Sequence, residues 1–140
     1  MKLELLDKSN YFKALLILVG IDKKISAAEK QIIRIVGEYL GFEDKFIEEA
    51  MANYLDNEYI IKEPPEFSDL RIAKCLVRDG IKLAFVDGHL SNSELDWLKL
   101  IAKKNTLSED WLNKELDSNQ GRYNILKADE HLEINDIFEM

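Results

Sequence analysis

The chain has 140 residues, of which 46% are hydrophobic and 33% are charged, and its formal net charge is −8. This length and balance fit one globular domain with its own core, which excludes a disordered chain and removes the need for disulfides or a structural metal. The negative charge disfavours nucleic acid and anionic membrane surfaces as partners, because both carry phosphate groups of the same sign.

Cysteine use and hydropathy favour the cytoplasm. The single cysteine, Cys75, cannot form an internal disulfide and has apolar neighbours, so we expect a buried thiol and not a nucleophile. The longest apolar run, residues 14–21, is too short to span a bilayer, and the first residues lack a signal-peptide pattern. We therefore expect a cytoplasmic protein without membrane insertion.

Helical periodicity predicts three helices in the first part of the chain. Helix one is expected over Leu3–Val19, helix two from the N-cap Ser26 to Leu40, and helix three over about 44–55. Gly41 suits the position just after helix two. The apolar residues of helix one that recur at helical spacing are Leu5, Leu6, Phe12, Leu15, Leu16 and Val19. Helix three uses Phe46, Ile47, Ala50, Met51 and Tyr54 in the same way.

A linker is predicted next, over about 57–67, because Pro64 and Pro65 would break a helix. Ser68 is then expected to cap helix four, which continues to about Val86. Gly80 lies inside this predicted helix and lowers its intrinsic helical stability by about 1 kcal/mol relative to alanine.

Two more helices follow. Helix five is expected from the N-cap Ser91 to about Lys104, and helix six begins after the N-cap Ser108. Trp97 and Trp111 fall at apolar positions of these helices, which favours a place in the core over a binding role. The remaining residues, 118–140, have no clean period and predict a short helix or an extended strap.

An acidic phrase occurs twice in the chain. DKKISAAE at 22–29 recurs as DGHLSNSE at 87–94, 65 positions later and without a gap. Apolar positions on both sides align at the same offset, which indicates an internal duplication. The predicted fold is therefore all-α: a single-domain helical bundle of six to seven helices in two pseudo-symmetric halves. Its parts are half one at about 3–56, the linker at about 57–67, half two at about 68–117 and an acidic tail at 118–140.

One interpretation of the repeated phrase is structural. A serine at the N-cap accepts a hydrogen bond from the amide of the third helical residue, and a glutamate there reaches back to the N-cap amide. Ser26 with Glu29, and Ser91 with Glu94, fit this capping box. The chain would then be a purely structural protein-interaction domain whose acidic turns bind no metal.

The other interpretation is a cation site, because calcium and magnesium prefer oxygen ligands. An ordinary EF-hand is rejected, since its first and third ligand positions would fall on Leu83 and Phe85. Any bound cation, whether calcium, magnesium, manganese or zinc, would therefore need carboxylates from both halves or several water ligands. The candidate metal ligands are Asp22, Glu29, Asp87 and Glu94.

The arrangement resembles the TerB-like family of small helical domains associated with tellurite resistance and stress responses. The resemblance covers about 11–116 and rests on LVGIDKKISAAEKQII at 18–33 and LAFVDGHLSNSE at 83–94. It implies a non-catalytic interaction module that binds divalent metal and docks a protein partner. By motif, the implied ligands are again Asp22, Glu29, Asp87 and Glu94, and Lys23 departs from the family's glycine.

Nothing in the sequence indicates catalysis. The two histidines, His89 and His131, are far apart, and the six glycines form no phosphate-binding loop. We therefore expect a protein that is not an enzyme.

Overall fold

The computed structural model describes residues 3–21, 25–56, 63–86 and 90–119, which form six α-helices and no strands. The helices are α1 (Leu5–Gly20), α2 (Ala27–Tyr39), α3 (Asp44–Asp56), α4 (Leu70–Phe85), α5 (Asn92–Lys104) and α6 (Glu109–Asn119). The all-α prediction is confirmed, with six helices in this part of the chain. None of these helices combines the length and the apolar character that crossing a bilayer requires.

Helix boundaries repeat at the offset of the acidic phrase. Helices α1 and α2 begin and end 65 positions before α4 and α5, and α3 begins 65 positions before α6. Left-handed backbone recurs in the same way, at Gly41 (φ 90°) after α2 and at Thr106 (φ 60°) after α5. The two halves therefore share one backbone plan, as the duplication predicts.

Each half is a three-helix unit in which every helix contacts the other two. The most extensive contact between described helices joins α1 of half one to α4 of half two, and α1 also touches α5. The buried apolar residues of both halves form one continuous cluster. The molecule thus has one core, with the α1–α4 pair at its centre.

Helices α1 and α4 run parallel. Asp7, in the first turn of α1, accepts a hydrogen bond from the backbone amide of Ser68, just before α4. Towards the other end, Leu18 of α1 packs against Gly80 of α4. Contacts therefore advance in the same direction along both helices. In consequence, the segments that follow α1 and α4 both leave from the same end of the pair.

A glycine allows α1 and α4 to approach closely where they cross. A Cβ atom at Gly80 would lie 3.0 Å from Cδ2 of Leu18 and 4.0 Å from Cδ2 of Leu15. Leu15 and Gly80 occupy the same position in their halves, 65 residues apart. The crossing therefore brings one position of the repeat against its own counterpart, and only one of the two carries a large side chain.

Several sequence predictions need correction at helix starts. The first helix begins at Leu5 and not at Leu3. Leu5 and Leu6 are each 71% exposed, so these two members of the apolar pattern do not face the core. Phe46 of α3 is also 49% exposed.

The predicted cap of α4 is also wrong. The N-cap is Asp69, whose side chain accepts a hydrogen bond from the amide of Arg71 at 2.8 Å. The hydroxyl of Ser68 donates instead to the carboxylate of Asp7. Of the predicted linker, residues 63–67 are described and are not helical. The predictions for residues 120–140 lie outside the described residues.

Candidate functional site at the acidic turns

Both predicted capping boxes are formed. At the start of α2, Oγ of Ser26 accepts from the amide of Glu29 at 3.1 Å, and Oε1 of Glu29 accepts from the amide of Ser26 at 3.0 Å. At the start of α5, Ser91 and Glu94 make the same two bonds at 3.1 and 3.0 Å. The two glutamates are only 3% and 7% exposed, so each carboxylate is held inside the protein by its own helix.

The four candidate metal ligands divide into two groups. Glu29 and Glu94 are placed as described, whereas Asp22 and Asp87 lie outside the described residues. Within the part of the chain that is described, no group of three or more histidine, cysteine, aspartate or glutamate side chains could hold a metal ion. A cation site with three or more such ligands at these turns would therefore include side chains outside the described residues.

The chemistry of the two glutamates is compatible with such a site. Each carboxylate accepts the N-cap amide through Oε1, and carboxylate oxygens are the ligand type that hard cations prefer. Leu83 and Phe85, which an EF-hand would need as ligands, are buried apolar residues of α4. The geometry thus agrees with the rejection of an EF-hand.

The parallel packing of α1 and α4 sets where the acidic turns begin. Helix α1 ends at Gly20 and α4 ends at Phe85, at the same end of the pair. Ile25 and Leu90, which precede the two capping serines, are half-buried and pack against the core. The segments that lead to the N-termini of α2 and α5 therefore both start from this end of the α1–α4 pair.

A second polar group, which the sequence analysis missed, lies between α1 and α4. The hydroxyl of Tyr11 donates to Oδ2 of Asp79 at 2.6 Å and lies 3.2 Å from Sγ of Cys75. All three residues are buried, as expected for the thiol of Cys75. Burial, reinforced by the charge of Asp79, raises the pKa of Tyr11 well above its usual value of 10.0. We interpret this cluster as a structural link between the halves, since its phenol stays protonated and water does not reach it.

Two further polar side chains hold the linker against the helices. Asn105, just after α5, accepts from the amide of Phe67 at 2.8 Å and donates to the carbonyl of Pro65 at 3.0 Å. Asp7 binds Ser68 from the other side. The sequence held one signal for them, because Asp7 stands four residues before Tyr11 and Asn105 four residues after Ile101, at helical spacing from buried positions.

Comparison with protein-family models, with curated proteins and with solved structures finds no match. The resemblance to the TerB-like family therefore rests on the two sequence stretches that carry it.

Proposed function

We propose that this chain is a non-catalytic TerB-like module that binds a divalent cation through the carboxylates of its two acidic turns and docks a protein partner. The observation that supports it best is the parallel packing of α1 and α4, since both acidic turns follow from the same end of that pair. The cytoplasmic and stress-response setting comes from the sequence resemblance.

The proposed ligands are two acids from each half. Asp22 and Asp87 stand seven positions before Glu29 and Glu94, and the two phrases follow helices that end together. Hard cations accept carboxylate oxygens at such turns and complete their shell with water. A cation held by both halves would stabilise the folded state, because the separated turns of an unfolded chain bind it poorly.

Thermal unfolding of the metal-stripped protein tests the cation. The chain is titrated with calcium, magnesium, manganese and zinc, alongside Asp87→Asn and Asp22→Asn. We expect one metal to raise the midpoint saturably, and this rise to be lost in both variants. The matched control is Asp96→Asn, which makes the same charge change at an exposed residue of α5 and should keep the full response.

The variant Glu94→Gln tests whether Glu94 is a metal ligand or only part of the helix cap. Glutamine also serves at the third helical position of a capping box, so this variant keeps the cap while it removes the charge. A lost metal response with unchanged metal-free stability identifies Glu94 as a ligand. Ser91→Ala should instead lower stability by about 1 kcal/mol both with and without metal.

The second candidate function is a purely structural interaction domain without metal. It is favoured by the two complete capping boxes, which already give Glu29 and Glu94 a role. A flat response to all four metals would support this alternative and contradict the cation site.

A further inference from the structure

One aromatic position of the repeat has different surroundings in the two halves. Phe46 and Trp111 are the third residues of α3 and α6, 65 positions apart. The ring of Trp111 is half-buried and has two cations over it: Nζ of Lys74 at 5.9 Å and the guanidinium carbon of Arg78 at 5.5 Å from the ring centroid. Half two therefore covers this ring with its own basic side chains.

Half one lacks this cover. The positions of Lys74 and Arg78 are taken by Ser9 and Lys13, and no described side chain places a cation over Phe46. The Phe46 ring packs on one side against Phe42, at 5.0 Å between centroids, and against Phe12 beneath it. The residue remains 49% exposed, so an aromatic surface faces solvent.

Carboxylates flank the exposed ring. Glu43 and Glu49 stand three residues before and after Phe46, a spacing that makes them its neighbours on the helix surface. Both are exposed, and neither forms an ion pair with a described residue. The matching positions in half two are Ser108 and Lys114. At these two positions half one therefore carries carboxylates, whereas half two carries a hydroxyl and an ammonium group.

We infer that Phe42, Glu43, Phe46 and Glu49, here called the Phe46 surface, dock a basic segment of a partner protein, with an arginine or lysine side chain over the Phe46 ring. The inference rests on the docking part of the proposed function and is independent of its cation site. A cation over an aromatic face is attracted by the ring quadrupole, and the carboxylates bind the same charge. Arginine fits best, because its planar guanidinium stacks on the ring while its N–H groups reach a carboxylate.

The charge of the molecule favours this occupant over a second copy of the chain. Every copy carries a formal charge of −8, which repels another copy and attracts a basic segment. A basic side chain of the partner would then lie over the Phe46 ring, as the guanidinium of Arg78 lies over the Trp111 ring within the chain.

Chemical-shift mapping on the isotope-labelled full chain tests the inference. The probe is the peptide acetyl-Ala-Arg-Leu-Arg-Ala-amide at low ionic strength, where charge attraction is least screened. Its control is the same peptide with both arginines replaced by citrulline, which keeps the shape and removes the charge. We expect shifts concentrated at residues 42–49 with the arginine peptide and none there with the citrulline peptide.

Three variants locate the binding energy. Phe46→Ser should weaken binding about two- to fivefold, the range for a cation on an exposed ring. The double variant Glu43→Gln with Glu49→Gln, which leaves the ring in place, should also weaken it. Leu100→Ser, an equally apolar change at a residue that is 55% exposed on α5, should leave binding unchanged.

Equal binding by Phe46→Ser and the wild type would overturn the inference, as would shifts that map outside residues 42–49. Self-association of the wild type that is lost in Phe46→Ser would also overturn it, because the surface would then hold a second copy. The metal response of Asp87→Asn is measured separately, so failure of either proposal leaves the other one standing.

Discussion

Single polar side chains carry specific contacts between the halves. The Tyr11 hydroxyl makes a short hydrogen bond to Asp79 across the α1–α4 contact, and both residues are buried. A buried carboxylate that loses one of its donors loses part of the compensation for its desolvation. The stability of the protein should therefore depend on this one hydroxyl.

Tyr11→Phe should lower the free energy of unfolding by about 1–3 kcal/mol, because it removes the donor to Asp79 without changing the ring. Chemical denaturation measures the difference. The matched control is Tyr54→Phe, which removes a half-buried hydroxyl that bonds to no described residue and should change stability by less than about 0.5 kcal/mol. Equal losses in the two variants would contradict a specific role for the Tyr11 bond.

Alkaline pH should destabilise the protein through the same residue. The pKa of Tyr11 is raised in the folded state, so above about pH 10 the unfolded chain releases a proton that the folded chain retains. Stability is then fully present below the unfolded pKa and falls as the pH rises above it, by up to about 1.4 kcal/mol per pH unit for one group. Denaturation at stepped alkaline pH should show a shallower fall in Tyr11→Phe than in the wild type. Parallel slopes would show that Tyr11 already ionises normally.

The sequence alone could predict contacts between residues that are close along the chain, but not contacts between residues that are far apart in it. Each capping box depends on residues three positions apart, so the motif was sufficient. Tyr11 and Asp79 are 68 positions apart, and only the crossing of α1 and α4 brings them together. At the acidic turns, the motif predicted four acidic ligands. The structure describes the two that lie in helices, Glu29 and Glu94.

At the scale of helices, periodicity and capping residues predicted most boundaries. The failures have physical causes. Ser68 and Asp69 can both cap a helix, and Asp7 binds the serine from another element, which leaves the aspartate as the cap. Helix α1 is buried on nearly all sides between Tyr11 and Val19, so its apolar pattern does not show that Leu5 and Leu6 project into solvent.

The crossing of α1 and α4 should tolerate only one large side chain. Gly80→Leu should destabilise the protein by about 1–3 kcal/mol through overpacking against Leu18, Leu98 and Leu15. Adding Leu15→Ala should restore space, so the double variant should be more stable than the sum of the single effects predicts, by at least about 1 kcal/mol. Combining Gly80→Leu with Met51→Ala in α3 is the control and should be additive. Additivity at Leu15 as well would show that the crossing is not limited by volume.

At the scale of the molecule, the two halves share one core and should unfold together. Both tryptophans, Trp97 and Trp111, belong to half two, so their fluorescence reports that half, whereas far-UV circular dichroism reports all six helices. We expect the two denaturation curves to coincide, because the α1–α4 contact joins the halves. Separate midpoints would show that the halves are independent folding units.

The difference in side-chain size between Leu15 and Gly80 also determines which combination of halves packs well at the crossing. Two copies of half one would set leucine against leucine at the crossing, and two copies of half two would set glycine against glycine and leave a void. Only a half one joined to a half two fills the space. The repeat is therefore directional at this position, because the crossing suits a half one packed on a half two and does not suit two identical halves.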